Sequence, residues 1–188
     1  MDIREIATGI KGERPIGWFV PFTEIPYGTY GIYRRLIMKA IAVRENAYAP
    51  VTDICVGSAI ESITGNIYVG CNVEADTLSQ TIHAEQNAIG AMIAGGDYKP
   101  LRVAIAVARR GTAFDIEHTA PVPVNLSLKD FPPTCGHCLQ IILQHCQKDP
   151  NVELISVTPE GGVYITTMGA ALPMPFQIAH LPSPRPSA

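Results

Sequence analysis

The chain has 188 residues, of which 47% are hydrophobic and 16% charged, with a formal net charge of −3 at pH 7. That length suits one domain whose core needs no disulfide staples, and the composition excludes a disordered chain. The acidic balance argues against a protein that grips a nucleic-acid backbone, which takes clustered Lys and Arg, and no apolar run approaches the ~18 residues of a membrane span.

Residues 1–30 carry Trp18, Phe19, Phe22, Tyr27 and Tyr30 among prolines and glycines, with no sustained period of either 2 or 3.6. This predicts an irregular arm that packs over an exposed face, lines a pocket or meets another subunit. Its start has charges of both signs and no apolar core before a small-residue cleavage site, so a cytoplasmic location is expected. From Ile32 a helical stripe of Ile32, Tyr33, Leu36, Ile37, Ala40 and Ile41 predicts an amphipathic helix ending near Asn46. Arg34, Arg35, Lys39 and Arg44 fall off the stripe and are expected on its solvated face.

Pro50 breaks the pattern, and the β-rich runs 53–60 and 65–71, joined across Thr64 and Gly65, predict neighbouring antiparallel strands. Residues 83–94 predict a helix stopped by Gly95 and Gly96. The apolar run 103–108 has the length and composition of a strand buried on both faces. A second helix is expected from Cys135, where Leu139, Ile142, Leu143 and Cys146 repeat at i, i+3, i+4 and i+7, and strands follow at 152–157 and 162–167. The order α-β-β-α-β-α-β-β implies crossover connections, hence a three-layer α/β/α sandwich with a mixed five-stranded sheet. The expected organisation is an arm (1–30), one catalytic domain (31–180) and a flexible Pro-rich tail (181–188). The connection 109–131 is longer than most loops and is a candidate for reshaping a pocket.

Five cysteines do not make a disulfide framework, and the close pair Cys135 and Cys138 points to metal binding or catalysis. Cys55, Cys71 and Cys146 sit in apolar surroundings and are expected to pack as buried thiols. His83 and Glu85, two positions apart, point ~200° away from each other in mid-helix and converge only off a helix end. Both halves then sit at helix N-termini, whose partial positive charge favours thiolates and other anions. Neutral His83 with two thiolates balances Zn2+ and leaves a fourth position open, as a catalytic zinc needs, while Glu85 remains free to move protons. The alternative for these residues is a structural zinc site with a fourth ligand from His137, Cys146 or Cys71. No phosphate loop or serine-hydrolase elbow competes.

From Ala47 to Phe176 the sequence resembles the cytidine deaminase family. The stretch AYAPVTDICVGSAI is similar to the family's A-Y-x-P-Y-S-x-F-x-V-G-A-A segment. GCNVEADTLSQTIHAEQNAI resembles its N-x-E stretch and metal helix, and TCGHCLQ resembles P-C-G-x-C-R-Q. HAEQ and CGHC are closest to the His-Cys-Cys branch, often homodimers, in contrast to the three-cysteine branch, often homotetramers. The resemblance implies that His83, Cys135 and Cys138 bind one zinc per chain, that Glu85 shuttles protons, and that Asn72 and Glu74 hydrogen-bond the ribose. LPMPF resembles L-P-x-x-F, whose aromatic ring approaches a neighbouring subunit's site, so Phe176 is expected to complete the pocket in an oligomer. Ile54 stands where the family has a Phe against the pyrimidine; Val51, Ala75 and Leu139 replace a Tyr, an Asn and an Arg.

The expected activity is hydrolytic deamination of cytidine or deoxycytidine, with release of ammonia, in pyrimidine nucleoside salvage. A second reading keeps the chemistry on a modified nucleoside, a nucleotide or a nucleoside antibiotic, with Arg109 and Arg110 motivating the nucleotide version. A reading of another class is a zinc-stabilised scaffold, which would have no use for Glu85.

Overall fold

A computed structural model describes residues 4–5, 17–25, 31–116 and 132–176. Tyr27, Tyr30, most of the long connection and the Pro-rich tail lie outside the described residues. Helix α1 (Gly31–Arg44) leads into the hairpin β3 (Ile54–Ser62) and β4 (Ile67–Cys71). Gly65 turns that hairpin with a φ of 86°, a conformation that a Cβ disfavours. Helix α2 (Ala84–Ala94), strand β5 (Pro100–Arg109), helix α3 (Gly136–His145) and strands β6 (Glu153–Val157) and β7 (Gly162–Thr167) complete the expected order, and a short helix α4 (Met168–Ala171) follows.

The sheet order is β1-β2-β7-β6-β5-β3-β4, where β1 is Arg4–Glu5 and β2 is Gly17–Pro21. Five of these strands are the expected mixed sheet, with β5 and β6 parallel across the α3 crossover. The other two correct the reading of residues 1–30 as irregular: β2 pairs antiparallel with β7, bringing Trp18 opposite Ile165 and Val20 opposite Val163. A five-residue strand ending in proline carries too little alternation to be recognised alone. The open β7 edge, with its unpaired backbone groups, supplies what the local sequence lacks.

The two faces of the sheet are covered differently. Ala59, Ala104, Ala106, Ile155 and Val157 pack under α1, whereas Ile60, Val103 and Leu154 pack under α2 and α3 with Ala88, Met92 and Ile142. Full burial of Ile60, Met92 and Ile142 stabilises the fold by about 1.5–3 kcal/mol each. Two glycines let the helices close in. A Cβ at Gly57 would lie 2.0 Å from the carbonyl oxygen of Ala40 in α1, and one at Gly70 would lie 2.4 Å from the backbone nitrogen of Ala88 in α2.

The basic residues of α1 divide, which corrects the expectation of a solvated face. Arg35 and Lys39 are exposed, but Arg34 and Arg44 are buried. Arg34 donates to the carbonyls of Phe22 and Ile25 and stacks over Phe22, fastening the arm to α1. Arg44, 2% exposed, donates to the carbonyls of Arg109 and Thr112 and lies over Phe114, fastening the chain that leaves β5. Arginine tolerates burial where its planar fork finds several acceptors at once.

Candidate active site

Helices α2 and α3 point their N-termini at one spot on the sheet. His83 is the N-cap of α2, with extended backbone (φ −75°, ψ 155°), and Cys135 is the N-cap of α3 with nearly the same geometry (φ −69°, ψ 158°). His83 Nδ1 lies 3.5 Å from Cys135 Sγ and 3.4 Å from Cys138 Sγ. Gln86 Oε1 accepts the His83 backbone N–H at 2.7 Å, and its amide nitrogen meets His137 Nε2 at 3.0 Å, so one side chain ties the two helix starts together.

The three donors fit zinc. A tetrahedral ion with Zn–S near 2.3 Å and Zn–N near 2.0 Å sets N···S edges of about 3.5 Å, the spacing seen between His83 and both cysteines. The electrostatics agree. Burial first, and then the Glu85 carboxylate and Cys135, push the Cys138 thiol far above its ordinary range, so a buried thiolate there calls for a cation. Among the described residues His83, Cys135 and Cys138 form the one such ligand group, and no fourth side chain joins it. Cys146 is fully buried and directs its thiol to the carbonyl of Leu143. Cys55 is buried as expected, and Cys71 is half-buried.

Glu85 occupies the first turn of α2 at 5% exposure. It lines a cleft of about 350 Å³ together with His83 and Cys135. The apolar floor of that cleft comes from Ile54 and Val56 of β3 and Ile105 and Val107 of β5. Asn72 and Glu74 line it as well, on a segment tied by two isolated bridges, Tyr48 to Val73 and Val73 to Ile82. Asn72 accepts the Val56 N–H at 2.8 Å and donates to the Ile54 carbonyl at 2.9 Å, which fixes its amide against β3. Glu74 accepts the N–H groups of Val51 and Thr52 at 2.8 and 3.1 Å and the Thr52 hydroxyl. These hydrogen bonds, the Thr52 hydroxyl foremost, with Arg110 nearby, hold its carboxyl below the usual range. Both side chains keep lone pairs or protons to spare for a ligand.

The structure thus brings together seven of the eight residues singled out in the sequence: His83, Glu85, Cys135, Cys138, Asn72, Glu74 and Ile54. Phe176 is not in this cleft. It is 57% exposed, with its N–H and C=O clasped by the Gln140 amide at 3.1 and 2.9 Å. Thr52, which holds Glu74, carries no signal in the sequence, and Arg110, which the sequence offers only as a phosphate contact, lies near Glu74. Arg110 follows β5, and the loop that presents Thr52 turns through Asp53 at φ 61°; a left-handed aspartate leaves no periodic signal in the sequence.

Three nitrogen and sulfur donors beside a cleft, with a buried carboxylate alongside, are the set that would hold a catalytic zinc, which takes three protein ligands and keeps a fourth position for water. Residues 32–153 match the family model described as the cytidine and deoxycytidylate deaminase zinc-binding region. The chain belongs to that family, and it is an enzyme of the zinc-dependent hydrolase type. It is 29% identical over 142 residues to a cytidine deaminase of Sporosarcina psychrophila, covering 76% of this chain and 89% of that protein. A second, from Halalkalibacterium halodurans, is 27% identical over 75% of this chain and 91% of its own length. Among solved structures, cytidine deaminase from Burkholderia pseudomallei superposes with a TM-score of 0.62 at 27% identity, over 77% of this chain and 98% of its own. No helix among the described residues is long and apolar enough to cross a membrane.

Proposed function

We propose that the chain hydrolyses cytidine or deoxycytidine to the uridine product and ammonia, using one zinc ion per chain held by His83, Cys135 and Cys138. The observation that carries this reading is the convergence of those three donors, within 4.8 Å of one another, on a cleft that also holds buried Glu85. Zinc bound there supplies the Lewis acidity that makes a water nucleophilic near neutral pH. Glu85 takes the proton of the attacking water and delivers it to the ring nitrogen beside the amino-bearing carbon. It then takes the second proton, from the hydroxyl newly added to that carbon, and passes it to the departing amine, so that C–N is broken, C=O is formed and ammonia leaves. The aliphatic floor of Ile54, Val56, Ile105 and Val107 takes the face of the base, and Asn72 and Glu74 take the sugar hydroxyls. Phe176, exposed and clasped at its backbone by Gln140, closes the cleft of a second copy in a homo-oligomer.

A phosphorylated substrate is the weaker reading. Arg110 is engaged by Asp53 and Ala47, and a phosphate brought to it would face the Glu74 carboxylate. A zinc-stabilised scaffold is weaker still, since it gains nothing from burying Glu85. The test is ammonia release by zinc-loaded protein across cytidine, deoxycytidine, cytosine and the 5′-monophosphate. Turnover is expected for the nucleosides, with no preference for the phosphate. Silence across the whole panel overturns the enzymatic assignment of this site.

A further inference from the structure

The chain that leaves β5 does more than begin a long connection. Arg110 follows the last residue of that strand and reaches both ends of the loop 47–53, which walls the cleft beside Glu74. At one end its backbone N–H donates to the Asp53 carbonyl at 3.0 Å, and its Nε lies 3.3 Å from Asp53 Oδ1. At the other its guanidinium donates to the Ala47 carbonyl at 3.3 Å. Between those points lie Val51 and Thr52, whose N–H groups and hydroxyl hold both oxygens of Glu74. The peptide preceding Arg110 is itself anchored, because buried Arg44 takes the Arg109 carbonyl at 3.3 Å. A line of contacts therefore runs from α1 through the end of β5 and the loop to the Glu74 carboxylate in the cleft.

We propose that Arg110 is a positioning residue for the sugar end of the substrate, holding the loop 47–53 in the conformation that fixes Glu74. This rests on the reading that Glu74 takes sugar hydroxyls. The positive φ of Asp53 supports it, since a non-glycine residue in that region persists where its surroundings hold it there, and Arg110 grips both the carbonyl and the side chain of that residue. Arg110 touches neither the zinc ligands nor Glu85 in any described contact. Its influence should therefore appear in recognition and not in the chemical step, and only with substrates that carry the hydroxyls.

The experiment compares kcat and KM for cytidine and for 2′,3′-dideoxycytidine in the zinc-loaded wild type, Arg110→Ala, Glu74→Gln and the double variant, with zinc content measured for each. Arg110 is half-exposed and its contacts are near 3.3 Å, so Arg110→Ala should fold, raising KM for cytidine about 5-fold with kcat changed less than about 2-fold. Dideoxycytidine should be indifferent to the change, and in the Glu74→Gln background the cytidine effect should vanish. Equal losses on both substrates, a loss confined to kcat, or no loss at all overturns the proposal while Glu74→Gln still discriminates between the substrates. A Glu74→Gln enzyme that does not discriminate removes the sugar reading itself, and the role of Arg110 with it.

Discussion

Gly70 is the point at which the sheet sets the height of the zinc helix, and substituting it tests whether the site depends on that contact. A Cβ at Gly70 would lie 2.4 Å from the Ala88 nitrogen, 2.6 Å from the Ala84 oxygen and 2.8 Å from the Asn87 carbonyl carbon, all of them backbone. Relief to an ordinary contact of ~3.5 Å requires α2 to lift by about 1 Å. The Asn87 side chain opposes this, donating to the Cys71 carbonyl at 2.7 Å. Overpacking of this kind costs about 3 kcal/mol, the upper end of the usual range, which for a chain of this length lowers Tm by about 6–12 °C.

The lift carries His83 and Glu85 away from Cys135 and Cys138, which ride on α3, and a misplacement of ~1 Å at a reacting centre costs about 100-fold in rate. Gly57→Ala is the matched control. Its Cβ would meet the backbone of Ala40 and Arg44 on the opposite face, so it should destabilise as much while moving α1 rather than the zinc helix. Thermal unfolding, zinc titration and kcat at 25 °C are to be measured on both variants. Gly70→Ala should lose zinc affinity and turnover together, and Gly57→Ala should lose Tm alone. A Gly70→Ala protein with wild-type zinc affinity and kcat refutes the claim that this contact positions the site.

Glu85→Gln should lower kcat by about 100- to 10,000-fold while leaving zinc content unchanged, checked by metal analysis beside the ammonia assay. Chelation of zinc should lower Tm as well as abolish turnover, because the ion joins two helix starts that otherwise bring a histidine and two thiols together; unchanged Tm after verified removal counts against this. Asp97 accepts hydrogen bonds from Ser62, Thr64, Asn66 and Tyr68 at one oxygen, and these donors hold its carboxyl down at about 2. A carboxylate depressed in the folded state stabilises above its unfolded value of 3.8, and that contribution is lost as pH falls from there toward 2. Asp97→Asn should therefore be less stable than wild type at neutral pH, with the gap in urea midpoint closing on acidification; a gap constant with pH excludes the linkage.

How much of this was legible in the sequence differs between the two halves of the cleft. The zinc half was legible because its residues lie at the starts of two helices, one marked by its Ala, Ile and Met content and a glycine stop and the other by an apolar period. Ala88, Ile89 and Met92 announce α2, and Leu139, Ile142 and Leu143 announce α3, so the helix ends locate His83 and Cys135. The five-stranded centre of the sheet was legible from its β-rich runs, the turn residues Thr64 and Gly65 and the unbroken apolar run 103–108. Strand β2 was not, since its partner β7 lies far along the chain and nothing local specifies the pairing. Nor were the buried arginines of α1: amphipathic patterning assigns a charge to solvent, whereas Arg34 and Arg44 are covered by segments whose free carbonyls they satisfy.

The substrate half illustrates the same limit at the site itself. The resemblance named Asn72 and Glu74, but their geometry is enforced from the AYAPVTDICVGSAI stretch: by the Val56 and Ile54 backbone for Asn72, and by Val51 and Thr52 for Glu74. A residue such as Val51 presents its N–H whatever its side chain, so a Val where the family has a Tyr leaves the hold on Glu74 intact. The departure at Ile54 is of another kind, because its side chain is part of the floor and exchanges an aromatic face for an aliphatic one. His83, Glu85, Cys135 and Cys138 thus match the family by side chain, whereas the setting of Asn72 and Glu74 comes from backbone groups together with the Thr52 hydroxyl. If the base lies on that floor as proposed, Ile54→Phe, which restores the aromatic face without altering the zinc ligands or Glu85, should change KM among cytidine analogues more than kcat.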